Sequence, residues 1–398
     1  MKKILISLFM IAGTLTGFSQ NAADTLQEKL GLLNGRLNAL DERVALAESD
    51  LGKLTKIKLS GYIQAQFESY QSGLLKTNDA ENSFYIRRAR IKFTYEAADG
   101  IKFVLQPDFS TGNLSLKDAY AVASLPKLSA LSLYAGQFNR PNYEVEYSSS
   151  QREVLERSRV VRSIYPGERE VGAKLEFTPS KVPVKLQLAL LNGNFTGKEQ
   201  KDADSKKDIM ARAVYSLHIP NAGIGIDMGA HAYYGRMMAK NKYISNYSNQ
   251  MDSTDSNSGS YMDKQWFGGE IQMYFDFLGG TALKGEYIAG KNAFAGDSKS
   301  NPNKIKQFAG YYIYFIKNIG KKNQLVARYD YFDPNTKLSG DDAGKDIFYQ
   351  SLALAWQYYL NDFIRFSVNY EMPWNEKNSA YPEEIKDNVF GIRMQAKF

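Results

Sequence analysis

The chain has no cysteine in its 398 residues. Neither a disulfide framework nor a lipid-anchored N-terminal cysteine is therefore available to it. Histidine is nearly as scarce, with only His218 and His231. No Ser-His-Asp spacing and no cluster of metal-ligand residues accompanies them, so neither catalysis nor a metal is expected, and no cofactor is implied. By strand parity the two histidines face the same side on neighbouring strands, where they could approach each other. Apolar runs long enough for a membrane helix, about 20 residues, are also missing. A large charge excess is missing too. Formal charge is +7, with 50 basic and 43 acidic residues, and falls to +5 once Lys2 and Lys3 are discounted with a leader. That balance does not argue for nucleic acid.

The one apolar run stands at the start. Met1-Lys2-Lys3 precedes the apolar stretch Ile4 to Leu15, and Gly17-Phe18-Ser19 places small residues at the −3 and −1 positions before Gln20. This is the layout of a secretory signal peptide over residues 1–19. An exported chain without membrane helices crosses a membrane as a closed barrel or does not cross one.

Residues 20–56 read as a periplasmic coiled coil. Leu26, Leu30, Leu33, Leu37, Leu40, Val44, Ala47, Leu51 and Leu54 are spaced alternately by four and three, an uninterrupted a/d seam with mostly polar residues between. A helix lying on a domain would show a wider apolar stripe. Gly31, Gly35 and Gly52 each cost about 1 kcal/mol relative to alanine, so the coil leans on whatever its strands oligomerise.

From residue 57 the period becomes two. Ile57, Leu59, Ile63, Ala65 and Phe67 alternate with Lys58, Ser60, Tyr62, Gln64, Gln66 and Glu68. The chain ends in the same way. Phe390, Ile392, Met394, Ala396 and Phe398 share one parity, and Gly391, Arg393, Gln395 and Lys397 the other. Sixteen such segments, centred near 63, 91, 104, 121, 134, 174, 188, 213, 229, 272, 285, 312, 328, 354, 367 and 393, predict an all-β, sixteen-stranded antiparallel transmembrane barrel over 57–398. The 27 tyrosines, 22 phenylalanines and 31 glycines suit aromatic girdles and tight turns. Soluble sandwich strands are five or six residues long, whereas these approach ten. The segments near 121 and 312 carry apolar residues on both parities, a pattern a subunit contact would produce. Connections alternate between short and long, which places short turns in the periplasm and long loops outside. The polar tract 246–259 reads as a solvated external loop.

One long connection differs in kind. Residues 139–168 carry Arg152, Arg157, Arg159 and Arg162, followed by Arg169, together with the apolar Val154, Leu155, Val160, Val161 and Ile164. An amphipathic loop of this length can fold against the inner wall and narrow the lumen with guanidinium groups, which bind oxyanions through a fork of donors. Its own Glu153, Glu156 and Glu168 could equally neutralise it as a surface loop. Parity puts Arg88, Arg90 and Lys92 on the lumen side of one strand, with Lys58 and Lys102 on adjacent strands. Arg87 falls on the opposite parity, toward lipid or a neighbouring subunit, and needs a carboxylate or headgroup partner there.

Several motifs resemble, in order and spacing, those of the phosphate-selective porin O and P family. They are Phe84-Tyr-Ile-Arg87-Arg88-Ala-Arg90-Ile91, Phe103-Val-Leu-Gln106-Pro107-Asp108-Phe109, Ser115-Leu-Lys117-Asp118-Ala-Tyr120, Gly136-Gln137-Phe138, Leu155-Glu156-Arg157-Ser158 and Pro166-Gly167-Glu168-Arg169. They cover about residues 57–178, beyond which only the barrel pattern matches. The resemblance implies a trimeric outer-membrane porin with its third external loop folded inward and arginines along the pore. The family's paired strand arginines fall on Arg87 and Arg88, and its loop arginine on Arg157. The expected partners are small anionic solutes, outer-membrane lipid, two further copies of the chain, and the barrel assembly machinery, for which Phe398 would be the terminal signal. A general non-selective porin, or a structural barrel tethered through its coil, are the alternative readings.

Overall fold

The computed structural model describes residues 29, 31–33, 35–37, 39–46, 48, 52, 55–71, 82–110, 114–125, 128–142, 145–164, 168–193, 201–202, 204–385 and 387–398. The chain divides into two compact units, residues 1–57 and 58–398. In the first, the described residues from 29 to 48 are helical, and Leu33, Leu37, Leu40 and Val44 of the predicted seam are exposed on the single chain. The predicted leader and the seam positions Leu26, Leu30, Leu51 and Leu54 lie outside the described residues.

The second unit is a closed antiparallel barrel of sixteen strands. In chain order the first eight are β1 (Ile57–Tyr70), β2 (Asn82–Ala98), β3 (Ile101–Asp108), β4 (Ser115–Leu125), β5 (Leu128–Asn139), β6 (Arg169–Phe177), β7 (Val184–Leu191) and β8 (Asp208–Ile219). The other eight are β9 (Ile224–Met238), β10 (Tyr261–Phe275), β11 (Thr281–Phe294), β12 (Asn303–Ile319), β13 (Asn323–Asp333), β14 (Tyr349–Tyr359), β15 (Ile364–Asn375) and β16 (Val389–Lys397). Each predicted centre falls inside its strand. The last strand closes on the first in continuous register from Tyr62↔Lys397 to Tyr70↔Val389. Phe398 extends this pairing by two backbone hydrogen bonds with Gly61, both 3.0 Å. Every edge is thereby paired, as a sheet in lipid requires.

The strands are inside out relative to a soluble protein. Leu186, Leu188 and Leu190 of β7, Ile313 and Phe315 of β12, and Ile392 and Met394 of β16 are exposed on the outer face. Gln64, Gln66, Arg88, Arg90, Gln187, Arg212 and Arg393 are buried on the inner one. Short turns follow β8 and β10 as single 3-10 turns, Pro220–Ala222 and Asp276–Leu278. Tract 246–259 forms an exposed excursion between β9 and β10, carrying a two-residue strand and a 3-10 turn.

The two strands with apolar residues on both parities have an explanation inside the barrel. On β12 the inward Phe308, Tyr312 and Tyr314 are fully buried in one cluster with Val154, Val160, Val161 and Ile164 of the long loop. On β4 the inward Tyr120 packs against Tyr134 and Phe138 of β5, with ring centroids 5.8 and 6.3 Å away.

Candidate pore and constriction loop

The described residues between β5 and β6, 140–142, 145–164 and 168, fold into the lumen and pack against one side of it. Burial of Val154, Leu155, Val160, Val161 and Ile164 supplies the cohesion, about 1.5–3 kcal/mol for each large side chain. Two wall glycines make room for them. A Cβ on Gly310 of β12 would lie 2.7 Å from Val160 Cγ2 and 2.9 Å from the Tyr331 carbonyl oxygen. On Gly391 of β16 it would lie 2.4 Å from a Leu155 methyl carbon.

Irregular backbone inside a barrel needs partners for its carbonyls. The wall provides them. Gln64 donates to Ser149 O at 3.0 Å, and Gln395 and Arg365 donate to Ser150 O at 2.9 and 3.2 Å. Gln357 donates to Glu153 O, and Arg328 to Glu156 O at 2.6 Å. The short helix Arg159–Ile164 begins on two carboxylates. Glu146 accepts the Ser158 N–H at 2.9 Å and the Ser158 hydroxyl at 2.8 Å, and Asp330 accepts the Arg159 N–H at 3.4 Å. Negative groups at that end suit the free N–H donors there. Glu146 also accepts from Tyr314 and lies 3.4 Å from Arg328, which has Asp330 at 3.0 Å and Glu371 at 3.3 Å.

A second junction gathers around Glu156. Arg87 holds this carboxylate with both ends of its fork, at 2.7 and 2.8 Å, while Arg393 lies at 3.2 Å and Arg152 at 3.9 Å. Burial alone would raise the Glu156 carboxyl, but the Arg87 fork and the charges of Arg88 and Arg152 hold it well below the usual carboxylate range. Arg87 is thus turned to the loop, not to lipid or a neighbour. Tyr85 likewise reaches inward to Glu68 at 2.7 Å, while Arg88, of the other parity, meets Gln64 at 2.9 Å. Strict alternation fails between Arg87 and Arg88, because both side chains have polar partners inside.

The remaining predicted residues fall into three places. Arg90 is paired with Asp108 at 2.7 Å and donates to Tyr62 and Ser149 at 3.0 Å, and Arg169 is paired with Asp118 at 3.0 Å. Both line the lumen, as does Lys92. Lys58 and Lys102 flank Glu96 at 3.1 and 3.5 Å beside the β2–β3 turn, largely exposed. The loop arginines are engaged locally. Arg152 is buried beside Leu155 O, and Arg157 bonds Glu146 O at 3.0 Å, Tyr147 O at 3.1 Å and the Glu168 carboxylate. Arg159 lies over the Tyr349 ring, 3.9 Å from its centroid, and 3.7 Å from Asp387, whose carboxyl is pushed up to about 6 by burial against the pull of Arg159. Arg162 is half exposed and 3.8 Å from Glu371.

Because the loop occupies the side of the lumen toward β12–β16 and β1, open space remains along β2–β8. A cavity of about 530 Å³ lies there. Its lining carries eight basic side chains, Arg90, Lys92, Arg140, Arg169, Lys174, Lys185, Arg212 and Lys397, against two carboxylates, Asp118 and Glu176. Most of these cations are paired, Lys174 with Glu176 at 3.1 Å and Arg212 with Glu270 at 2.9 Å. Of these eight, Lys92, Lys185 and Lys397 have no ion-pair partner among the described residues. A second cavity of about 510 Å³ shares Lys185 and Arg212 and adjoins the short turn 178–183. Lys174, Lys185 and Arg212 sit on lumen parities of three consecutive strands, a signal present in the alternation. The two histidines do not meet. His231 pairs across with Arg212 and His218 with Gly225, six strand positions away or roughly 20 Å. His231 is buried 3.8 Å from Glu286, and His218 is exposed near the β8–β9 turn.

Solved structures share this architecture at low sequence identity. OprB of Pseudomonas putida superposes with a TM-score of 0.58 at 9% identity, over 89% of this chain and 97% of the other. An anion-selective porin from Comamonas acidovorans gives 0.56 at 11% identity, over 86% and 99%. The trimer form of OmpT, an outer membrane protein of Vibrio cholerae, gives 0.52 at 11%, also over 86% and 99%. No curated protein matches the sequence. The model of the family described as Phosphate-selective porin O and P matches residues 57–398, the whole of the barrel from β1 to the terminal phenylalanine, and the chain belongs to that family.

Proposed function

We propose that the channel favours anions and that phosphate and phosphate-like oxyanions are among its solutes. As a member of a porin family the protein is a channel of the bacterial outer membrane and not an enzyme. The preference rests on one observation, the basic lining of the open side of the lumen. Fixed cations in a narrow passage raise the local concentration of anions and repel cations. Lys92 and Lys185 supply charge that no carboxylate among the described residues neutralises at contact, and Arg90, Arg169 and Arg212 supply forked donors whose charge is shared with Asp108, Asp118 and Glu270. Arg88, Arg152, Arg157, Arg159 and Arg162 act through the field of the loop they hold in place, and Lys58 and Lys102 through the field at the turn end. Binding stays weak enough for passage because it is spread over several groups.

In this reading residues 1–19 direct export, Phe398 is the segment read by the barrel assembly machinery, and the seam from Leu26 to Leu54 contributes to a homotrimer. Phosphate is the part most easily tested. In planar bilayers bathed in chloride, added phosphate should reduce chloride current in a saturable, concentration-dependent way. A chloride current that phosphate leaves untouched would leave an anion channel without an oxyanion site.

A further inference from the structure

The cavity along β2–β8 is not lined as a passage for bare inorganic ions alone. Tyr120, Tyr134 and Phe138 form an aromatic patch on its β4–β5 wall, with ring centroids 5.8 to 6.5 Å apart. The Tyr134 hydroxyl donates to Glu176 at 3.2 Å, so this residue turns its ring rather than a free donor to the lumen. Lys174 is fixed over that ring, its ammonium 3.9 Å from the centroid. The loop contributes Tyr147, which lines the same cavity and is 39% exposed. Aromatic surface from both wall and loop does little for a hydrated oxyanion, which gains from donors and charge. It suits a solute with a flat apolar body, whose anionic end would meet Lys174 and Lys92 while its body contacts the rings. At about 530 Å³ the space falls in the range of roughly 300–1,000 Å³ in which small organic molecules are bound.

We propose that this cavity is a subsite for organic anions carrying a ring, such as aryl phosphates and aromatic carboxylates, and that it prefers them to aliphatic anions of equal charge. This rests on the reading of the pore as anion-favouring and adds the class of solute. The test compares matched pairs as blockers of chloride current through the full-length protein in planar bilayers: phenyl phosphate against methyl phosphate, and benzoate against acetate. The aryl member of each pair should half-block at a concentration about 2- to 10-fold lower, the gain expected from one aromatic contact. Tyr120→Leu with Tyr147→Ser should bring the two concentrations together. Equal half-block by both members of each pair in the unmodified protein would overturn the proposal, as would a preference that survives the double substitution. The chloride-to-potassium permeability ratio, read in the same membranes, separates the two levels. An anion-favouring pore with equal blocks defeats only the aromatic subsite, whereas a cation-favouring pore defeats the reading beneath it as well.

Discussion

Arg328→Met should loosen the inward loop and give larger, noisier single-channel conductance. The side chain is fully buried, with Asp330 at 3.0 Å, Glu371 at 3.3 Å, Glu146 at 3.4 Å and the Glu156 carbonyl at 2.6 Å. Removing the cation leaves three carboxylates facing one another, Glu146 and Asp330 fully buried, a loss on the order of 3–5 kcal/mol for a broken buried pair. The loop bears the consequence, because Glu146 also caps the Arg159–Ile164 helix through Ser158. The barrel hydrogen bonds do not depend on this residue, so the variant should still insert. Single-channel recording and limited proteolysis of residues 140–168 provide the check. Conductance and protection equal to the unmodified protein would mean that the apolar packing and the remaining polar contacts hold the loop without Arg328.

The second large effect concerns charge. Lys92→Gln combined with Lys185→Gln should shift the reversal potential toward cations with little change in stability. In a water-like dielectric each ammonium is worth about 1 kcal/mol to an anion ~4 Å away, or about fivefold in local concentration. Neither lysine has an ion-pair partner among the described residues, so the substitutions strand no carboxylate. Arg157→Gln offers a contrast. It would remove the bonds to Glu146 O, Tyr147 O and Glu168, and should disturb conductance and loop order more than selectivity. An unchanged reversal potential in the double lysine variant would assign selectivity to the paired arginines instead.

Much of the barrel was legible because lipid enforces alternation over ten residues at a time. All sixteen predicted centres lie within strands, and the polar parity of β1 and β16 is the inner face from Gln64 to Gln395. Several of the places where reading failed or stopped share one cause, the loop inside. Tyr312 and Tyr314 face inward in one buried cluster with Val160 and Ile164 of the loop, which accounts for the apolar residues on the inner parity of β12. Arg87 breaks parity because Glu156 of the loop stands inside to receive it. The supports of the loop, Gln64, Gln357, Gln395, Arg328 and Arg365, read in sequence as ordinary polar lining. Only the folded loop shows that their donors meet its carbonyls. Lys174, Lys185 and Arg212 were within reach of the same parity argument that singled out Arg90 and Lys92, once carried past β3 to β6, β7 and β8. The histidines share a face but not a level, since parity fixes the side of a sheet and only register fixes height along it.

The central claim, an anion-favouring lumen along β2–β8, is tested most directly by the reversal potential of the unmodified protein in a planar bilayer under a potassium chloride gradient. The account predicts a potential displaced toward the chloride equilibrium value, with the displacement shrinking as salt is raised and the fixed charges are screened. A potential displaced toward the potassium value would contradict it, and would mean that Asp118, Glu176 and the carboxylates paired behind them outweigh the cations of the lining.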